Sequence, residues 1–198
     1  EKKREEVIII IMEDRQMREL SLHILDIAEN STRANATTVH IIIDVQPIED
    51  KLEIVIEDNG KGMSEEMARN VLDPFVTTRK TRRVGMGLPL FKAAAERCAG
   101  EFELESTEGE GTRIRATFQL SHIDRAPMGD IAGTLITLIQ GNQEIDFIFT
   151  YRYGDQDYHL STKMLRAELG ELPLNHPEVL DFIERDFSSW LEDIPMEF

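Results

Sequence analysis

The chain has 198 residues and a formal net charge of −16, from 38 acidic and 22 basic side chains. That balance argues against a nucleic-acid or anionic-membrane partner, since both are polyanions, and any phosphate site has to create its positive potential locally. With 41% apolar residues the chain can build a packed core, which excludes bulk disorder.

Residues 1–16 (EKKREEVIIIIMEDRQ) are a charged extension around a β-branched run that is too short to cross a bilayer. From Met17 the pattern turns helical, with Leu20, Ile24, Ile27, Ala28 and Ala34 at helical spacing. Two strand-like runs follow, TVHIIIDV (38–45) and KLEIVIED (51–58), joined by a turn at QPIED. A glycine-rich stretch (58–63) leads to a short helix with Ser64 as N-cap. Residues 73–87 read as a loop with a basic cluster, and LPLFKAAAERCA reads as a helix ending at Gly100. The runs EFELEST and TRIRATFQL, with EGEG between them, form a hairpin. The segment 122–130 is expected to be a linker. Residues 131–161 read as a three-stranded meander starting with AGTLITLIQ, and two helices are expected at about 162–170 and 178–193. The single cysteine, Cys98, excludes an internal disulfide or a thiolate metal cluster and fits a reducing cytoplasm.

Five motifs fall in order along residues 17–120. Asp26 and Asn30, four residues apart in DIAENSTRANAT, share one helical face. Asp58-Asn59-Gly60-Lys61-Gly62-Met63 ends a strand, and its glycines permit a sharp backbone turn. Asp73-Pro74-Phe75-Val76-Thr77-Thr78-Arg79 opens the basic run that continues through Lys80. Val84-Gly85-Met86-Gly87-Leu88 lies just before a helix, where backbone N–H groups can cradle phosphate. Thr112 follows a G-x-G turn. Each motif alone has an ordinary reading as a solvated face, a tight turn or a charged loop. No G-x-x-x-x-G-K-[ST] phosphate loop is present.

Together the five resemble the GHKL (Bergerat-fold) ATPase superfamily, in the manner of the ATP-binding domains of histidine kinases. The resemblance implies an α/β two-layer sandwich with a mostly antiparallel, mixed sheet and helices on one face. It implies ATP and Mg2+ as ligands. Asn30 would be the metal-coordinating residue, and Asp26 would hold the position that polarises water in the family's ATPases, although Glu is usual there. Asp58 would accept the adenine amino group, with Gly60, Gly62 and Met63 turning the chain beside the base and Thr112 touching it. Phe75 would pack the base of a lid. Thr78, Arg79 and Lys80 would approach the phosphates, and the loop Gly85, Met86, Gly87 and Leu88 would cradle them.

The expected domain layout is an N-terminal extension (1–16), an ATP-binding domain (17–121), a linker (122–130) and a small α+β module (131–198) for partner docking. Residues 1–16 hold no histidine and are too short for the helical hairpin that carries a phosphoacceptor histidine. His23 rides on the nucleotide-site helix itself. The expectation is a cytoplasmic signalling kinase that phosphorylates a separate protein, with an ATPase switch or a nucleotide sensor as alternatives. A homodimer is compatible with the sequence. Phe147, Phe149, Tyr151 and Tyr153 alternate along one strand face and are expected to be core.

Overall fold

The computed structural model describes residues 19–72 and 87–194. Expectations for residues 1–16 and for Phe75, Thr78, Arg79, Lys80, Gly85 and Met86 lie outside the described residues.

Inward alternation sets the central strand. In β1 (Thr38–Gln46), Val39, Ile41, Ile43 and Val45 are buried, and the residues between them face the other way. Strand β2 (Lys51–Asp58) pairs antiparallel with β1 and buries Leu52, Ile54 and Ile56 on the same face. Strands β3 (Phe102–Thr107) and β4 (Gly111–Gln119) form the expected hairpin, and β4 pairs antiparallel with β2. On the far side of β1, strand β5 (Asp146–Tyr153) runs parallel to it and pairs antiparallel with β6 (Gln156–Ser161). One sheet results, in the order β3-β4-β2-β1-β5-β6.

Helix α1 (Leu20–Arg33) lays Leu20, Ile24, Ile27 and Ala28 on this sheet. Its N-cap, Glu19, makes no side-chain cap. Instead, Leu20 N donates to Pro127 O at 2.9 Å and Ser21 N to Met128 O at 2.8 Å. The expected linker therefore closes the open start of α1. Helix α2 (Glu65–Val71) starts at Ser64, whose hydroxyl accepts from Met67 N. Helix α3 (Gly87–Arg97) closes through Ala99, at φ 55°, one residue before the expected Gly100.

The segment AGTLITLIQ is a helix, not the first strand of a meander: α4 (Ile131–Gly141). Its β-branched content favours a strand, but Asp130 caps the first turn through Gly133 N at 2.8 Å. Ile131, Leu135, Leu138 and Ile139 then bury one helical face. This helix makes the crossover from β4 to β5 that a parallel partner of β1 requires. Helix α5 (Thr162–Leu169) is capped by Ser161, and α6 (Pro177–Glu192) begins with Pro177 in its first turn.

The large helices all cover one face of the sheet, and a single core runs from Phe91 and Phe118 to Phe149 and Phe187. Residues 131–194 belong to that core and that sheet, so segment 122–130 joins two parts of one structure. The aromatic face of β5 is core as expected. Phe187 of α6 packs against Phe149, Tyr151 and Tyr158 at ring-centroid distances of 5.4, 6.0 and 5.0 Å. Burial in this cluster pushes the Tyr151 phenol up to about 12. The opposite sheet face carries a charge ladder, Glu103–Arg115–Glu53–Lys51, with separations of 3.3, 2.7 and 3.0 Å. Partly exposed pairs of this kind contribute little each.

Candidate functional site

The end of β2 supplies the first element. Asp58 is buried on the inward face, and both of its carboxylate oxygens are bonded. Ser31 Oγ donates to Oδ2 at 2.5 Å and Gly60 N donates to Oδ1 at 2.8 Å. Ser31 follows Asn30 on α1, so a hydrogen bond ties the helix carrying Asp26 and Asn30 to the strand end. The sequence reading missed Ser31, although a serine one turn after Ile27 on an otherwise apolar stripe was a visible signal.

The DNGKGM turn is held on both sides. Asn59 Oδ1 accepts from Thr37 N and Thr38 N, each at 2.9 Å, and its Nδ2 donates to Thr37 Oγ1 at 2.8 Å. Lys61 N donates to Ala34 O at 2.9 Å. Gly62 has φ 59°, and a Cβ there would lie 1.9 Å from Thr107 O, so both conformation and space demand glycine. Met63 N donates to Ser106 Oγ at 2.9 Å. Thr112 lies opposite Asp58 in the β2–β4 ladder, and its hydroxyl sits 2.9 Å from Ser106 Oγ. Asp58, Gly60, Gly62, Met63 and Thr112 thus form one cluster, with Ser106 as a further member.

The second element is the start of α3. A Cβ on Gly87 would lie 1.7 Å from Asp26 Oδ2. The Asp26 carboxylate therefore rests directly on the backbone where α3 begins, at the positive end of its dipole. Leu88 turns into the core and contributes backbone only. Helix α1 accordingly touches the β2 end through Ser31 and the α3 start through Asp26, with Asn30 between them.

Burial raises the Asp26 pKa above its ordinary value near 3.8. Arg33 works against that rise, Glu29 adds to it, and a hydrogen bond from the Asn30 side chain lowers it again. Because the folded pKa exceeds the unfolded one, this group favours folding most below the unfolded value. That contribution is lost as pH rises through the folded pKa, and above it the ionised carboxylate is a standing cost. Asp26→Asn is therefore expected to raise the melting temperature at pH 7 by a few degrees at most, with the gain vanishing below pH about 4. Melting curves at the two pH values check this, and an unchanged or lower value at pH 7 contradicts it.

His23 is buried against Phe91, with ring centroids 5.3 Å apart. It is a packing residue of α1. Among the described residues no group of three or more His, Cys, Asp or Glu side chains is placed to hold a metal ion, and no helix is long and apolar enough to cross a membrane.

Residues 15–122 match the family described as histidine kinase-, DNA gyrase B- and HSP90-like ATPase. The chain belongs to that family. ATP binding follows from membership of these ATPases. Similar curated proteins include a putative sensor protein of Shewanella frigidimarina, 31% identical over 103 residues, covering 51% of this chain and 16% of that protein. Sporulation kinase D of Bacillus subtilis is 31% identical over 98 residues, covering 50% and 19%. A putative sensor histidine kinase of the NtrY-like type from Rickettsia conorii is 28% identical over 110 residues, covering 55% and 18%. This chain thus spans less than a fifth of the length of these relatives. Among solved structures, the MutL ATPase domain of Aquifex aeolicus, complexed with ADP, superimposes with a TM-score of 0.52 at 13% identity, covering 86% of this chain and 70% of that one. That likeness concerns the fold, and it identifies the mixed sheet with helices on one face as the Bergerat fold.

Proposed function

We propose that this GHKL ATPase domain binds ATP with Mg2+ and transfers phosphate to a separate signalling protein in the cytoplasm. The observation that supports the reading is the double attachment of α1, by Ser31 to Asp58 and by Asp26 to Gly87, which joins to one helix the two elements that this reading assigns to the base and the phosphates. In this reading Asp58 accepts from the adenine amino group, with Thr112 beside it, and the backbone at Gly87 faces the phosphates. The positions Phe75, Thr78, Arg79, Lys80, Gly85 and Met86 are assigned to lid and phosphate contacts by the family motif.

The donor set suits Mg2+. The ion takes hard oxygen ligands and keeps several waters, so the Asn30 amide oxygen with the nucleotide phosphates suffices, and no carboxylate cage is needed. When bound, the metal would supply neutralisation of the phosphate charge. His23 is buried, which argues against it as the phosphoacceptor. The sensor kinases among the relatives support a signalling context, and segment 131–198, beyond the family match, is where we place partner contact.

Asp26 favours a second reading, an ATPase switch. A carboxylate with a raised pKa near the phosphates is suited to accept a proton from water. Incubating the protein with γ-labelled ATP, alone and with extract of its source, separates the two. Label on a second protein supports the kinase and free phosphate alone supports the ATPase, while neither product contradicts both. Asp26→Asn should keep ATP binding and reduce turnover by roughly a hundredfold or more if Asp26 is the base.

A further inference from the structure

Three polar neighbours surround one hydroxyl at the open end of the β3–β4 hairpin. Ser106 Oγ accepts from Met63 N at 2.9 Å, donates to Gly111 O at 2.9 Å, and lies 2.9 Å from Thr112 Oγ1. A serine hydroxyl has one proton and two lone pairs. A backbone N–H only donates and a carbonyl only accepts, so the Ser106 proton is committed to Gly111 O. The third contact is then made with the Thr112 proton, which points at Ser106. Thr112 keeps its remaining lone pair for whatever binds beside it.

The same accounting holds across the strands. Thr112 is the ladder partner of Ser106 on one side and of Asp58 on the other, so the three side chains form a row on the inward face. At the far end of that row the Ser31 proton goes to Asp58 Oδ2, and Gly60 N donates to Oδ1. Each of these hydroxyl protons is spent inside the protein. Asp58 and Thr112 therefore offer a ligand acceptors only.

We propose that Ser106 is a specificity-determining residue. By taking the Thr112 proton it makes the floor of the base pocket an acceptor-only surface, fitted to a 6-amino purine and closed to a 6-oxo purine. The inference rests on the adenine pocket proposed above and names the side chain that fixes its polarity. An amino group brings two protons to two acceptors. A 6-oxo group brings lone pairs to the same atoms, and repulsion replaces attraction. A threonine with a free rotor would tolerate either group, because its hydroxyl donates as readily as it accepts.

The setting is firm because the other two partners of Ser106 are main-chain groups. The hairpin is also pressed onto the DNGKGM turn. Gly109 N donates to Lys61 O at 2.8 Å, and a Cβ on Gly111 would lie 1.9 Å from Asp58 O. Ser106 cannot turn its proton toward Thr112 without giving up Gly111 O. An ordinary cross-strand Ser–Thr pair adds a little to sheet stability and leaves the direction of its hydrogen bond open. The two backbone partners are what separate Ser106 from such a pair.

The test is the ratio of ADP to IDP affinity, read by calorimetry on the full chain with Mg2+, since diphosphates avoid turnover. IDP carries a carbonyl oxygen where ADP carries its amino group. The unsubstituted protein should prefer ADP by at least about tenfold. Ser106→Ala should cut that ratio roughly three- to tenfold, and Ser106→Thr, which returns the hydroxyl, should restore it. Both nucleotides meet the same altered hairpin, so the ratio is blind to a general loss of packing. Ser106→Cys, whose sulfur is a weak partner in the same place, should give an intermediate ratio and repeats the test if the alanine variant does not fold. In a Thr112→Val background no proton is left to direct, and adding Ser106→Ala should leave the ratio unchanged. Equal affinity of the unsubstituted protein for ADP and IDP overturns the base pocket and the inference with it. A preference for ADP that Ser106→Ala leaves intact overturns the inference alone. So does a fall in the ratio that recurs in the Thr112→Val background, since Ser106 would then act by another route.

Discussion

Replacing Asp58 with alanine is expected to weaken ATP binding by one to two orders of magnitude, read by calorimetry or by a fluorescent ATP analogue. A hydrogen bond to a charged group contributes about 1.5–3 kcal/mol, and in the proposed pocket Asp58 would provide the one to the adenine amino group. The loss has a second origin within the protein. Asp58 accepts from Ser31 Oγ and Gly60 N, so its removal leaves a buried hydroxyl and a turn amide without their acceptor. That costs about 1–3 kcal/mol for each group left unsatisfied. Ser31→Ala is the companion measurement. It removes the tie to α1 while keeping the carboxylate, and it should weaken binding less than Asp58→Ala. Undiminished ATP affinity in Asp58→Ala would show that the base is recognised elsewhere.

The largest effect on stability is expected from Phe187→Ala. Phe187 is 0% exposed and lies among Phe149, Tyr151, Tyr158 and Trp190. Truncating a buried phenylalanine costs about 3–5 kcal/mol, through lost transfer energy and the cavity left behind. For a chain of this size that is a fall in melting temperature of roughly 6–20 °C. The cluster holds α6 to β5, and β5 pairs with β1 over its whole length, so unfolding should stay a single transition by all probes. A loss below about 1 kcal/mol, or a separate early transition confined to the C-terminal part, would mean that residues 131–194 stand apart energetically.

The sequence was legible where its signals are local. The alternation in 38–45 and 51–58, the G-x-G turn at 109–111 and the Ser64 cap each specify their element through neighbouring residues, and those elements formed as read. Leu20, Ile24, Ile27 and Ala28 likewise marked the inward face of α1. The reading failed where the deciding contact is distant. Residues 131–139 carry isoleucines and threonines that suit a strand, and the pull toward a helix comes from the Asp130 cap together with burial against α1 and α6. The parallel pairing of β1 with β5 joins segments about a hundred residues apart and leaves no turn signature, so the C-terminal part read as a separate module. In the candidate site, the family resemblance singled out Asp58, Gly60, Gly62, Met63 and Thr112, and the fold brings these residues together. Ser31 and Ser106 were not singled out, because their partners are set by the tertiary arrangement.

The clasp of Asn59 on Thr37 and Thr38 has a thermodynamic corollary. Thr37 O also accepts from Asp146 N at 2.9 Å, which is where β5 joins the sheet. Residue 37 is thus a splice, bonded to the DNGKGM turn on one side and to the incoming strand on the other. A ligand that braces the turn also braces the seam uniting the two halves of the sheet. Occupancy and cohesion then form one linked equilibrium, and each tenfold of ligand above its dissociation constant adds about 1.4 kcal/mol to the whole molecule.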